Sequence, residues 1–347
     1  MAATKTENIE WINNLRVIAL FAVIILHTTS PVLETYNKGP LSIWLIGDFY
    51  NTLTRFAVPV FVMISGALLL HREYELSDFL KKRLVRIVIP FLFWSCIYIS
   101  YEFYNEDLTY TGLNWKTIQQ ALHLLKYGSS YHLWYVYMLI GLYLFVPIIS
   151  KFVRNATPNE ILYFLIVWFI VMLLGQPYLS RFKPSLDLRY FEGFVGYLVL
   201  GHYLAFKPLP NKRVGLWAFV FLACLCGFSL GTYLLYQHYN GISTLLYEPL
   251  SPPIVLMATS VFMLGRLWVP KVPGIIISFR DFAGKYNYGI YLSHALILTL
   301  LNDYLDMNYK LYNPWVSIPC IAIVCFSLSL MLVFVISRIP FGKYVSG

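Results

Sequence analysis

The sequence predicts an all-α polytopic membrane protein: one integral-membrane domain over residues 1–347, about ten transmembrane helices and both termini cytoplasmic. Composition is the first ground. Hydrophobic residues make up 59% of the chain and charged residues 12%, about half the roughly 25% that a soluble protein uses to cover its surface. Mean hydropathy is +0.63. The second ground is a series of apolar runs, each long enough to cross a hydrocarbon core with about 20 residues of helix. A β-barrel is excluded, because these runs are too long and do not alternate. The third is the placement of lysine and arginine.

The runs fall at about 11–30, 47–70, 84–104, 132–153, 159–176, 189–206, 214–237, 252–269, 286–304 and 314–337. The first follows KTENIEWINN, which has no basic leader, and no small-residue cleavage site comes after it. It is expected to stay as a membrane helix. The second contains Pro59, which removes one backbone donor and predicts a kink. Between the second and third lies HREYELSDFLKKRLVR, with Arg72, Lys81, Lys82, Arg83 and Arg86. If that loop is cytoplasmic, its side of the membrane holds 17 basic residues and the other side 7, in agreement with the positive-inside rule. The longest outer segment includes Trp115–Leu125, which reads as an amphipathic surface helix.

The basic excess, 26 Lys and Arg against 17 Asp and Glu, is accounted for by cytoplasmic loops and gives no case for nucleic acid. The five cysteines lie in apolar stretches, without metal-ligand spacing and in odd number. They read as small apolar residues rather than as disulfides or a metal site. The sequence has no phosphate-cradling glycine loop, no HExxH and no G-x-S-x-G. Any chemistry therefore falls to polar residues at membrane depth, where each charged group costs at least about 2.5–3.5 kcal/mol.

The first helix carries two such residues, Arg16 and His27. Eleven residues of α-helix rise about 16.5 Å and rotate about 20° past three full turns. The pair therefore shares one face at two depths, with His27 in the outer half. Arg16 reads either as a snorkelling cation or as a cavity residue. His27, followed by Thr28 and Thr29, reads as functional, against a purely structural hydrogen bond to a neighbouring helix. Arg55 lies deep in the second helix, four residues before Pro59 and followed by Ser65 and Gly66; it lines a cavity or pairs with Asp48. Arg83 and Arg86, at i and i+3, share a helix face. They suit a phosphate clamp or ordinary interfacial anchoring. His132 and Trp134 open the fourth helix, where an aromatic belt explains Trp134. Glu192 marks the outer end of the sixth. Asn287, Tyr291 and His294 form one polar stripe on the ninth, facing a cavity or satisfying a buried partner.

These residues resemble the signature of the integral-membrane acyltransferase-3 family. Arginine, ten residues, then histidine in helix one is similar to that family's motif, and WINNLR to its W-I-D-N-L-R opening. Arg83-Leu84-Val85-Arg86 is similar to its R-x-x-R. RFAVPVFVMISG resembles its R-x-x-V-P-x-F-F-x-x-S-G, and YGIYLSH its late Y-x-x-Y-x-x-H. The bacterial members of short ten-helix form, including enterobacterial common antigen O-acetyltransferases, look most similar. The resemblance departs at Asn13 and Asn14, where the family often has aspartate, and in the esterase-like domain that some members append. Any such second step is expected of another protein.

The resemblance implies transfer of an acyl group, usually acetyl, from cytoplasmic acyl-CoA to a hydroxyl of an extracytoplasmic glycan or lipid-linked sugar, at a bacterial cytoplasmic (inner) membrane. It implies His27 as the catalytic group and Arg16, Arg83 and Arg86 on the donor. Arg55, Ser65, His132, Trp134, Glu192, Tyr291 and His294 would line the cavity or the acceptor side. A pantetheine arm is about as long as the Arg16–His27 separation. No tightly bound cofactor and no metal are expected; acetyl-CoA or another acyl-CoA is a substrate. Partners would be the bilayer and the glycan, with room for a homo-oligomer or other envelope-biosynthesis proteins. The competing expectation is an exporter of a polysaccharide or lipid-linked glycan, which also needs polar residues at depth.

Overall fold

The computed structural model describes residues 7–105, 112, 114–182, 189–207, 213–241, 243 and 245–347. Part of the long outer segment, at 106–111 and 113, falls outside them. The described residues form thirteen α-helices and no strand. In chain order these are α1 (Glu7–Leu33), α2 (Leu41–Thr54), α3 (Ala57–Leu69), α4 (Leu76–Tyr104), α5 (Trp115–Tyr127), α6 (Trp134–Asn155) and α7 (Pro158–Leu174). They continue with α8 (Val195–Phe206), α9 (Val214–Tyr239), α10 (Pro252–Leu267), α11 (Gly274–Lys285), α12 (Asn287–Leu305) and α13 (Pro314–Arg338).

Six segments among the described residues are long and apolar enough to cross a membrane: Glu10–Leu33, Leu41–Leu69, Leu76–Tyr104, Trp134–Asn155, Val214–Tyr239 and Pro314–Arg338. Three shorter apolar helices, α7, α8 and α10, lie where three further spans are expected. The remaining expected span, the ninth, corresponds to α12, which carries the polar stripe. The fold is that of an all-helical, multi-pass membrane protein.

Several boundaries differ from the sequence reading. The expected helix 47–70 is two helices, α2 and α3, interrupted at Arg55 and Phe56. Pro59 is the physical reason. Its nitrogen cannot donate to the carbonyl of Arg55, and in the new helix it sits in the first turn, where no intrahelical donor is needed. The break therefore lies four residues before the proline rather than at it. The expected start at 84 moves back to Leu76, because Glu75 accepts the amides of Ser77 and Asp78 and caps α4 early. The sixth span begins at Val195 rather than 189, so Glu192 precedes its helix.

The chain divides into two compact units. The first comprises Met1–Glu73, Val146–Gly284 and Asn308–Ala322. Its closest helix crossing is α3 on α8. A Cβ on Gly66 would lie 1.9 Å from the Leu198 carbonyl oxygen, and one on Gly201 would lie 2.0 Å from that of Met63. The two glycines let the backbones touch, and dispersion over that contact replaces a hydrophobic force that lipid cannot supply. At one end of this unit an aromatic core joins Trp44, Tyr236, Tyr247, Phe228, Leu33 and Ile254, and the Trp44 indole donates to the Leu33 carbonyl at 3.2 Å.

The second unit comprises Tyr74–Phe145, Lys285–Met307 and Ile323–Gly347. Here α4 and α12 are tied by phenols. Tyr98 donates to the Leu292 carbonyl at 2.8 Å and Tyr288 to that of Ile87 at 3.0 Å. The end of the chain closes over both helices. The Trp94 indole donates to the Val345 carbonyl at 3.2 Å, and a Cβ on Gly289 would meet the Ser346 carbonyl oxygen at 2.1 Å. The expected surface helix is α5, capped by Asn114 and ended by Gly128 at φ 112°. It exposes Trp115, Ile118 and Leu122, a face suited to lipid headgroups.

Candidate functional site

Arg16 and His27 lie on one unbroken helix, α1, and both are half-buried. The N-terminal half of this helix borders an apolar cavity of about 610 Å³. Leu15, Val17, Ile18, Phe221, Trp268 and Arg280 are among the residues that line it. The Arg280 guanidinium is paired with Asp281 at 2.7 Å and donates to the Asn14 side-chain oxygen at 3.0 Å. Asn14, beside the position where the family often has an acid, is thus a neutral acceptor for a cation.

The C-terminal half of α1 carries His27 beside a run of hydroxyls. Thr28 donates to the Ile24 carbonyl at 2.8 Å, and Thr29 and Ser30 both donate to that of Leu26, at 2.8 and 2.9 Å. Pro31 lies inside the helix and cannot donate to the carbonyl of His27, so the helical ladder lacks that rung.

Arg55 sits at the α2–α3 break. Its Nε donates to Asn51 Oδ1 at 2.7 Å, its Nη1 donates to the Tyr247 carbonyl at 3.2 Å, and its guanidinium lies 4.0 Å from the centre of the Tyr247 ring. The phenol of Tyr247 donates to Asp48 Oδ1 at 2.8 Å, and Ser229 donates to Oδ2 of the same carboxylate. Burial pushes the Tyr247 phenol far above its ordinary range, so it remains a donor. Arg55 and Asp48 are linked through Tyr247 rather than by a direct ion pair among the described contacts. Asp48 and Asn51 have no exposed surface, a placement tolerated because each polar atom has a partner. Ser65 bonds back to the Phe61 carbonyl of its own helix at 3.0 Å.

Tyr247 also fixes a loop. Tyr197 donates to the Pro249 carbonyl at 2.6 Å and Gln176 to that of Leu250 at 3.3 Å. The loop forms one side of a cleft of about 470 Å³ bordered by Gln176, Glu192, Ser243 and Glu248. Glu192, expected from sequence, is exposed there; Glu248 and Gln176 were not expected.

In the second unit His132 and His294 are buried, with 1% and 0% exposure. Their rings meet edge to face with centroids 5.0 Å apart. The Tyr291 phenol donates to the His132 carbonyl, and the His294 Nδ1–H donates to the Tyr291 carbonyl. Ser130 meets His132 Nδ1 at 3.0 Å, and Cys325 Sγ donates to the His294 carbonyl at 3.4 Å. Tyr98, with its ring 5.3 Å from that of His132, completes the enclosure. The sequence stripe therefore brings Tyr291 and His294 into one cluster with His132. Asn287 stands apart, its buried Oδ1 accepting no hydrogen bond among the described residues. Trp134 is 42% exposed at the start of α6, where a belt residue would be. Arg83 is half-buried and Arg86 exposed. They lie in the second and third turns of α4 rather than at its start. Among the described residues, no group of three or more His, Cys, Asp or Glu is arranged to hold a metal.

Asp48, Asn51, Ser229, Tyr98 and Tyr247 were not singled out as site residues from sequence. An aspartate and an asparagine in an apolar run were the available signal. The two tyrosines are indistinguishable in sequence from the many that populate membrane interfaces.

Comparison with known proteins gives the chemistry. The chain is similar to the protein named "Putative membrane-bound acyltransferase YfiQ" of Bacillus subtilis (strain 168), at 23% identity over 354 residues, covering 96% of this chain and 92% of the relative. It is also similar to the "Putative acetyltransferase ORF330" of Acidianus two-tailed virus, at 28% identity over 257 residues, covering 70% of this chain and 73% of the relative. No solved structure matches. The profile of the acyltransferase-3 family, described as an acyltransferase domain, matches residues 9–334. With nearly every helix inside that match, the chain belongs to the acyltransferase-3 family of membrane-bound acyltransferases.

Proposed function

We propose that this protein is a transmembrane O-acyltransferase that moves an acetyl group from cytoplasmic acetyl-CoA, or a similar acyl group from its acyl-CoA, to a hydroxyl of an extracytoplasmic glycan or lipid-linked sugar. The observation that carries the reading is α1, which holds Arg16 and His27 on one continuous helix, their Cα atoms about 16.5 Å apart along its axis. Ten spans, cytoplasmic termini and a bacterial inner membrane belong to the same proposal.

The reaction is an acyl exchange. The acceptor oxygen attacks the thioester carbonyl, the carbon–sulfur bond breaks, and the sugar ester and CoA thiol are released. His27 takes the hydroxyl proton and delivers it to the leaving sulfur; imidazole is suited to this near neutral pH. Histidine also permits a transient acyl-imidazole. The apolar cavity beside the inner half of α1 offers a place for an acyl-pantetheine arm. Arg83 and Arg86 hold donor phosphates, as paired guanidiniums do. The cleft at Glu192 and Glu248 takes the sugar, whose hydroxyls donate to carboxylates.

The test is acetyl transfer by protein reconstituted in nanodiscs, with labelled acetyl-CoA and a panel of glycans. Transfer to one acceptor class supports the reading. Movement of glycan without acetyl-CoA consumption would show an exporter instead.

A further inference from the structure

The C-terminal half of α1 lacks an internal rung at His27, because Pro31 has no N–H to give to the His27 carbonyl. A helix opened in this way bends or frays unless something outside it holds the turn. Asn51 of α2 does so. Its Nδ2 donates to Thr29 Oγ1 at 3.0 Å and lies 3.4 Å from the Leu26 carbonyl oxygen. Thr29 in turn donates to that same carbonyl at 2.8 Å. Both side chains have no exposed surface, and they bracket His27 on the residue before it and two residues after it.

The amide of Asn51 has only one workable orientation. Arg55 Nε can only donate, and it donates to Oδ1 at 2.7 Å. Nδ2 is thereby turned toward α1. Arg55 is itself held by the carbonyl and ring face of Tyr247, whose phenol is anchored on Asp48. A hydrogen-bonded chain thus runs from the loop at Tyr247, through the charge-assisted bonds of Arg55 and the neutral amide of Asn51, to the turn that carries His27.

We infer that Asn51 and Thr29 are positioning residues for His27, and that the Asp48–Tyr247–Arg55 network sets their orientation. The inference rests on the reading of His27 as the catalytic group. It assigns Asn51 and Thr29 no contact with substrate.

The test uses full-length protein in nanodiscs with three variants. Thr29→Val removes the hydroxyl at constant shape, and Thr29→Ser restores it. Asn51→Asp keeps the acceptor for Arg55 and removes the amide donor. Two quantities are read: the kcat and KM for acetyl-CoA, and the rate at which diethyl pyrocarbonate modifies His27, followed by peptide mass spectrometry. We expect Thr29→Val and Asn51→Asp to lower kcat at least tenfold with KM within twofold, and to raise His27 modification at least threefold. Thr29→Ser should stay within threefold of wild type in both. Unchanged kcat and unchanged His27 reactivity in both disruptive variants would overturn the inference. His27→Ala is the separate control. Full transfer by that variant overturns the catalytic reading of His27, while the modification rates still decide the positioning.

Discussion

The polar cluster around Asn51 and the one around His294 are both sealed from solvent, yet they are made of different side chains. The first contains a carboxylate, a guanidinium and a carboxamide, joined donor to acceptor in a chain through Tyr247. The second contains two imidazoles and several phenols that meet largely through ring edges, and its hydrogen bonds run mainly to backbone carbonyls. Fully charged groups at membrane depth are tolerated only when completely paired. Imidazole and phenol stay neutral at far lower cost and gain from edge-to-face packing. The first cluster is therefore brittle, since removing any charged member strands another. The second should be tolerant, since a phenyl ring preserves most of what a phenol contributes there.

That contrast is broken or sharpened by substitution. The largest effect is expected for Asp48→Ala, which leaves the phenol and hydroxyl that serve the carboxylate without an acceptor and strips Arg55 of its nearby counter-charge; about 3–5 kcal/mol of stability should be lost. The thermal midpoint in detergent measures it, and a midpoint equal to wild type would show that the network is dispensable. Next, Arg83→Ala with Arg86→Ala should raise the KM for acetyl-CoA by roughly 10²–10⁴-fold with little change in midpoint, since each of two charged hydrogen bonds is worth about 1.5–3 kcal/mol. Titration of acetyl-CoA in the transfer assay reads this directly. Tyr98→Phe should cost about 1–2 kcal/mol, since the phenol donates to the Leu292 carbonyl and accepts the Leu296 amide, still below Asp48→Ala; equal losses would erase the distinction between the clusters. The smallest effect belongs to Trp134→Phe at an exposed ring, within about 0.5 kcal/mol.

Much of this was legible in the sequence, for physical reasons that can be named. Apolar runs locate membrane helices because lipid offers the backbone no partners. The Arg16–His27 spacing reads directly as one face of one helix because α-helical geometry is rigid. The Tyr291–His294 stripe announced a buried polar cluster. Its partner His132 was visible as a histidine that no belt explains. Glu75 as a cap hid the true start of α4, because capping by glutamate is weaker in pattern than by serine or aspartate. The break at Arg55 was displaced from Pro59 because a proline excludes a donor four residues earlier in bonding, not at its own position. Asn51 and Tyr247 were silent. Their meaning depends on α1 and on a loop about 200 residues away in sequence, and no local spacing encodes that.

The central claim is that His27 carries the acyl transfer. The measurement that tests it most directly is labelled acetyl transfer from acetyl-CoA by reconstituted His27→Ala, with thermal midpoint and acetyl-CoA binding followed in the same preparation. The account predicts a loss of at least about 10²–10⁴-fold in kcat, the range for removing a general base, with midpoint and donor binding retained. Transfer at the wild-type rate by a folded, donor-binding His27→Ala protein would contradict it.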